Sequence, residues 1–313
     1  MLEEEEAIEA PPKSPSAIEE EVAVAPKPAR LKGFAKMVTG NKRTAFGFAI
    51  LFVLLVMAFI GPLLAPFDPS LQNLSNTYRL PIWAGGSLPH IFGTDSLGRD
   101  VFSRLLYGFQ IAAYIGLVSA FIVALIGTPI GLVSGYFRGH TDGVIMRVVD
   151  MWMSIPPVLL SIALILLLGS QVNNVILAIV VVDWTRFARV VRGEVFNIRE
   201  KDFITAGEAV GYSKFKIIRS EVLPNTIPII TVLATLEISI AIYVEVLLSF
   251  VGLGIPTSVV SWGAMIAEGL PYLQFDPWPT LLSLMVVILI VVGINLLGDG
   301  LREQLDPRLQ TIR

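Results

Sequence analysis

The chain has 313 residues, of which 54% are hydrophobic and only 16% charged, and its mean hydropathy is +0.72. Soluble domains average nearer 45–50% apolar and about 25% charged. The excess lies in long runs, so the composition points to a bilayer rather than water as the solvent. It contains no cysteine and two histidines, His90 and His140, which excludes disulfides, thiolate metal sites and a cysteine nucleophile, and argues against a multi-histidine metal centre.

The net charge of −3 is a property of one end. Residues 1–26 carry eight glutamates against Lys13, and the remainder holds 18 acidic and 22 basic residues. Residues 1–40 read as an acidic and then basic cytoplasmic extension. Its first 30 positions are rich in Glu, Pro and Ala, and such a stretch buries too little apolar surface to order itself. No cleavable signal pattern is visible.

The apolar runs predict an all-α integral membrane protein of about six transmembrane helices in a permease domain over residues 41–300. Span 1 is Ala45 to about Leu64, and span 2 about Gln110–Gly135. Ahead of span 2, Asp95 or Ser96 is positioned to cap a short interfacial helix with Leu97, Val101 and Leu105 on one face. Span 3 is about Val148–Leu168, with Arg147 and Asp150 placed to pair. Span 4 runs from about Val172 into Trp184, where Asp183, Arg186 and Arg189 interrupt it. Span 5 covers about Thr226–Val251 and span 6 about Thr280–Leu297, followed by a tail over 301–313. With the N-terminus inside, nineteen Lys and Arg fall in inside segments and Arg79, Arg99 and Arg104 outside. The positive-inside rule therefore places both termini in the cytoplasm.

Charges within spans are costly enough to be functional suspects. Glu237 and Glu245 in span 5 are eight residues apart, about 80° on a helix. With Asn295 in span 6, they are candidates for a translocation path or a seam with another membrane subunit, or for helix–helix hydrogen bonds. The loop at 201–225 reads as two short helices. Gly211 ends the first and Ser213 caps the second. Phe215, Ile218 and Val222 form an apolar stripe, and Pro224 terminates it. Small residues Ala206 and Gly207 would let another protein approach the backbone closely.

That loop resembles the EAA loop of permease subunits in binding-protein-dependent ABC importers. There, Glu-Ala-Ala is followed by a glycine four residues on and then by an Ile…Leu-Pro stretch. Here the triplet reads Thr205-Ala206-Gly207, with Gly211 and Ile217…Leu223-Pro224 in register, so two triplet positions depart from the pattern. Gly93-Thr-Asp-Ser-Leu-Gly-Arg-Asp100 is similar to a segment ahead of span 2 in the dipeptide/oligopeptide/nickel branch. The blocks Gly135–Asp150, Leu248–Gly254 with Ser261-Trp-Gly263, and Gly298–Arg308 also match in order.

The resemblance implies a type I ABC importer permease fold and a non-catalytic subunit. It implies a homologous second permease, two ATPase subunits that bind ATP and Mg, and an extracytoplasmic binding protein. The chain itself would bind no cofactor, metal or nucleic acid and would lie in the cytoplasmic (inner) membrane, in contact with the lipid bilayer. Thr205, Ala206, Gly207, Gly211, Ser213, Leu223 and Pro224 would contact the ATPases, while Asp95, Arg99 and Asp100 would either only structure the entry to span 2 or contact the binding protein. Di- or oligopeptides are the implied cargo, with nickel chelates or oligosaccharides as alternatives. No Gly-x-x-x-x-Gly-Lys-Ser/Thr phosphate loop occurs, and no triad pattern surrounds either histidine. A stand-alone secondary transporter is the rival, but neither its internal repeats nor its broken mid-membrane helices are visible.

Overall fold

A computed structural model describes residues 41–86, 88–256 and 258–305; the expected extension over 1–40 and most of the tail lie outside them. Helix α1, Lys42–Leu64, begins where Asn41 accepts a hydrogen bond from Arg43 N. Helix α2, Val101–Phe137, is 37 residues long, or about 55 Å at 1.5 Å per residue. Asp100 caps it, accepting from Ser103 N at 2.8 Å. There is thus no separate interfacial helix ahead of span 2, and Asp95 is not its cap. Asp95 Oδ1 instead accepts from Leu97 N and Arg99 N, closing a turn through Gly98.

Span 3 is broken. Helices α3, Gly139–Met153, and α4, Pro157–Leu168, meet at a bend of 78°. Pro156 and Pro157 cause it, because they lack N–H donors and push the preceding residue away from helical geometry. Helix α5, Val172–Arg199, continues well past Trp184, so Arg186, Arg189 and Arg192 stand on a helix and not in a loop. Their charges are met by carboxylates on neighbouring helices. Asp150 pairs with Arg189 and not with Arg147.

Two short helices follow, α6 at Asp202–Ala209 and α7 at Lys214–Ile217. A π turn, Ile218–Val222, then leads directly into α8, Leu223–Phe250. Pro224 therefore does not end a helix. It falls in the first turn of α8, where a missing N–H costs little. Helix α9 is Trp262–Gly269, and α10 runs Trp278–Leu305, beyond the expected end of span 6. Among the described residues, four helical stretches are long and apolar enough to cross a membrane, and five if the bent pair counts as one. Helix α5, at 28 residues, is long enough, but its charges keep it out of that count.

Two large apolar clusters hold the bundle, with a small third around Val232, Leu297 and Leu301. One joins α2, α4, α5 and α8 through residues such as Ile115, Ile165, Ile179 and Leu248. The other joins α1, α2, α8, α9 and α10 around Trp262, whose indole N–H donates to Leu105 O at 3.1 Å. Small residues allow the closest approach. On α2, Gly127, Gly131 and Gly135 face Phe187, Ala188, Val191 and Val195 of α5, a spacing suited to tight helix packing where lipid offers no hydrophobic drive.

Candidate functional site

Helices α6 and α7 form a compact pair at one end of the bundle. Gly211 takes φ +84°, a left-handed conformation that ends α6. Its N–H donates to Glu208 O, and Tyr212 N donates to Gly207 O, both at 3.0 Å. Ser213 then caps α7 by accepting from Lys216 N. Ile204 and Ile217 pin the pair down: they are buried within the cluster that also holds α2, α5 and α8. Tyr136, near the end of α2, adds a polar tie by donating to Glu208 Oε1 at 3.2 Å.

Thr205, Ala206, Gly211, Ser213 and Pro224 are exposed, while Gly207 and Leu223 are half-buried. The expected apolar stripe is redistributed. Val222 is buried and Ile218 half-buried, but Phe215 points outward at 73% exposure. Val210, at 75%, and Phe203 are exposed beside it. Phe203, Val210 and Phe215 were missed as surface residues, although large apolar residues in a polar loop were the available signal.

At the opposite end the structure corrects another expectation. Asp95, Arg99 and Asp100 are buried, so they are not a ready contact surface. Arg99 Nε donates to Asp95 Oδ2 at 2.7 Å, and Arg99 Nη2 to Glu268 Oε2 at 2.6 Å. Arg104 Nη1 bonds the same Asp95 oxygen and lies 2.9 Å from Glu268 Oε2. This four-member network ties the start of α2 to α9. Asp100 also meets His90 Nδ1 at 2.9 Å.

Asp276 adjoins this network in a small cleft with Tyr78, Arg104 and Tyr272. It is buried, and its Oδ1 has no hydrogen-bond partner among the described residues. Burial pushes its carboxyl up to about 6; the Asp95 charge adds to the rise and the Trp278 backbone N–H opposes it. An unfolded aspartate titrates near ~3.9. The fold therefore favours the protonated form, and this contribution to stability is present at low pH and lost as pH rises from about 4 through 6. Replacing Asp276 with Asn should raise the melting temperature in detergent at pH 7.5 and change it little at pH 4.5. A variant that melts below the parent at pH 7.5 would contradict this reading.

The charged and polar groups within the spans separate into two kinds. Glu245 is closed inside the chain, accepting from Ser249 Oγ at 2.7 Å, with Gly263 packed over it. Asn295 accepts from Ser239 Oγ at 2.9 Å, joining α10 to α8. Both form hydrogen bonds within the chain; Glu245 is buried and Asn295 half-buried. Glu237 differs. Its Oε2 accepts from Arg186 Nη2 at 2.5 Å, while its Oε1 is buried with no hydrogen-bond partner among the described residues. Asp183 lies 3.6 Å from the same Arg186 nitrogen. Among the described residues there is no cluster of three or more His, Cys, Asp or Glu that could hold a metal ion.

The model of the family described as "binding-protein-dependent transport system inner membrane component" matches residues 127–311. That of the "N-terminal TM domain of oligopeptide transport permease C" matches residues 34–81. An oligopeptide transport system permease protein of Bacillus subtilis is 35% identical, covering 86% of this chain and 87% of its own. A dipeptide transport system permease protein of the same species is 40% identical, covering 86% and 83%. A glutathione transport system permease protein of Escherichia coli is 39% identical, covering 84% and 86%. Among solved structures, a methionine ABC transporter in an inward facing conformation aligns with a TM-score of 0.55 and 20% identity. It covers 64% of this chain and 96% of that one, a likeness of fold alone.

Proposed function

The chain belongs to the binding-protein-dependent transport inner membrane component family, and from that premise we propose that it forms half of the translocation path of an ABC importer for short peptides. The other half is a homologous permease. Two ATPase subunits carrying ATP and Mg dock on the α6–α7 surface, and a binding protein delivers cargo at the opposite end. Both termini lie in the cytoplasm, and the membrane is the inner one. The peptide class is supported by relatives whose names specify oligopeptides, dipeptides and glutathione.

One observation carries the coupling role. The α6–α7 pair presents Phe203, Val210 and Phe215 outward while Ile204 and Ile217 lock it into the core of α2, α5 and α8. A partner that displaces this surface must therefore move those spans. Thr205, Ala206, Gly207, Gly211, Ser213, Leu223 and Pro224 make up the surface and its hinge. The chain itself breaks no covalent bond; it turns closure of the ATPases into a shift between two conformations.

The test is ATP hydrolysis by the complex, reconstituted with its companion permease, ATPases and binding protein. Hydrolysis is expected to rise with a peptide-loaded binding protein and not with an empty one. A complex that assembles but responds only to nickel chelates or oligosaccharides would remove the peptide assignment. If no ATPase co-purifies, the importer assignment fails.

A further inference from the structure

Arg186 and Glu237 each stand at the middle of a 28-residue helix, α5 and α8 respectively. Next to Arg186, Phe187 packs against α2, where a Cβ on Gly127, ten residues from that helix's end at Phe137, would sit 2.9 Å away. Even so, 43% of the Arg186 side chain is exposed. Large apolar side chains cover much of the outward surface of the other spans, with Phe59 at 80%, Leu63 and Leu167 at 83% and Met285 at 64%, whereas α5 also exposes Arg189, at 41%, against Asp150 of α3, at 64%. A charged guanidinium exposed on a helix packed among spans is poorly suited to contact with lipid tails. Ionisable groups within spans face the interior of an assembly or water. The α5 face bearing Asp183 and Arg186 is therefore not a lipid face.

The cluster is also incomplete. Two carboxylates, Asp183 and Glu237, share one guanidinium through Nη2, and Glu237 Oε1, on a side chain 1% exposed, has no partner among the described residues. A buried acceptor left unpaired is costly, so among the described residues the compensation of Glu237 rests on Arg186. A tight seam between membrane subunits favours small residues and satisfied hydrogen bonds, and this cluster offers neither. It does offer both signs of charge side by side. A short peptide with free ends carries both as well, an α-ammonium and an α-carboxylate.

We propose that Asp183 and Arg186 form a subsite in the translocation path for zwitterionic peptides, in which Arg186 receives the free α-carboxylate and Asp183 the α-ammonium, while the buried Glu237 holds the Arg186 guanidinium from behind. This inference rests on the peptide-importer reading. Arg186 is a binding and specificity residue here. Arginine suits the task because its planar fork matches a carboxylate in two hydrogen bonds.

The experiment is uptake into proteoliposomes containing the whole complex, with one binding protein and two forms of the same short peptide, one with a free C-terminus and one amidated. Both forms are chosen to be bound by that binding protein. The parent complex is expected to prefer the free acid. Arg186→Gln should reduce that preference about tenfold toward parity, and Arg186→Lys should retain most of it. If Arg186→Gln alone fails to assemble because Glu237 is left uncompensated, Arg186→Gln with Glu237→Gln removes both charges and should show the same loss of preference. A preference that survives in the glutamine variants, or uptake of both forms falling in parallel, overturns the subsite and leaves Arg186 a structural partner of Glu237. If the parent complex imports neither peptide while still responding to another cargo, the peptide assignment fails first and this inference with it.

Discussion

Gly131→Leu is expected to prevent the chain from accumulating as a folded membrane protein. A Cβ at Gly131 would stand 2.7 Å from Ala188 O and from Val191 Cβ. The first of these is backbone, so no change of rotamer relieves the clash, and α2 and α5 must separate along their length. Gly127 and Gly135 lie one turn away on either side and make the same kind of approach to Phe187 and Val195. The separation would therefore open contacts among Phe187, Val191 and Val195, all buried. Overpacking typically costs ~1–3 kcal/mol, and against backbone the upper end or more is expected. The measurement is thermal unfolding and size-exclusion behaviour in detergent, with Gly143→Leu as the control, since nothing lies within 4 Å of a Cβ there. A Gly131→Leu protein that melts like the parent would show that α2 and α5 do not pack as described.

How well the sequence disclosed these features depended on how local their causes are. Span 1 and the positions of Gly211 and Ser213 follow from runs of apolar residues and short-range capping, and they were legible within a residue or a few. Span 4 was cut short at Trp184 because Asp183, Arg186 and Arg189 break the hydropathy run. Their partners Glu237 and Asp150 lie 51 and 39 residues away in sequence, and only tertiary structure shows the charges compensated. The same limit applies to Asp95, Arg99 and Arg104. Local spacing suggested a capped interfacial helix there, whereas Glu268, distant in sequence, closes them into a buried network. At Pro224 a sound local rule gave the wrong boundary, because the π turn over Ile218–Val222 places the proline in a first turn, where it is tolerated. For the loop surface, the small and capping residues could be read directly. Which apolar side chains face outward could not, since the π turn over Ile218–Val222 shifts the helical phase between Phe215 and Val222.

Replacing Gly211 with leucine should uncouple transport while leaving the chain folded. Its φ of +84° is a conformation that an ordinary L-residue resists, at about 1–2 kcal/mol, and nothing lies within 4 Å of an added Cβ. The penalty is therefore backbone strain with no clash, confined to the junction of α6 and α7. Ile204 and Ile217 stay anchored in the core, so the strain is relieved by reorienting the exposed end of α6, where Val210 lies next to the substituted residue. A surface matched to a partner through Phe203, Val210 and Phe215 would lose that match, because a misplacement on the scale of an ångström is enough to break a tight apolar contact. Membrane insertion and melting temperature should stay close to the parent, while peptide-stimulated ATP hydrolysis and uptake fall at least about tenfold. Gly211→Asn provides the discriminating control, since asparagine tolerates the left-handed region and should retain most of the coupling. If the leucine variant transports like the parent, the α6–α7 junction does not transmit the ATPase signal; if leucine and asparagine fail equally, lost backbone geometry is not the cause.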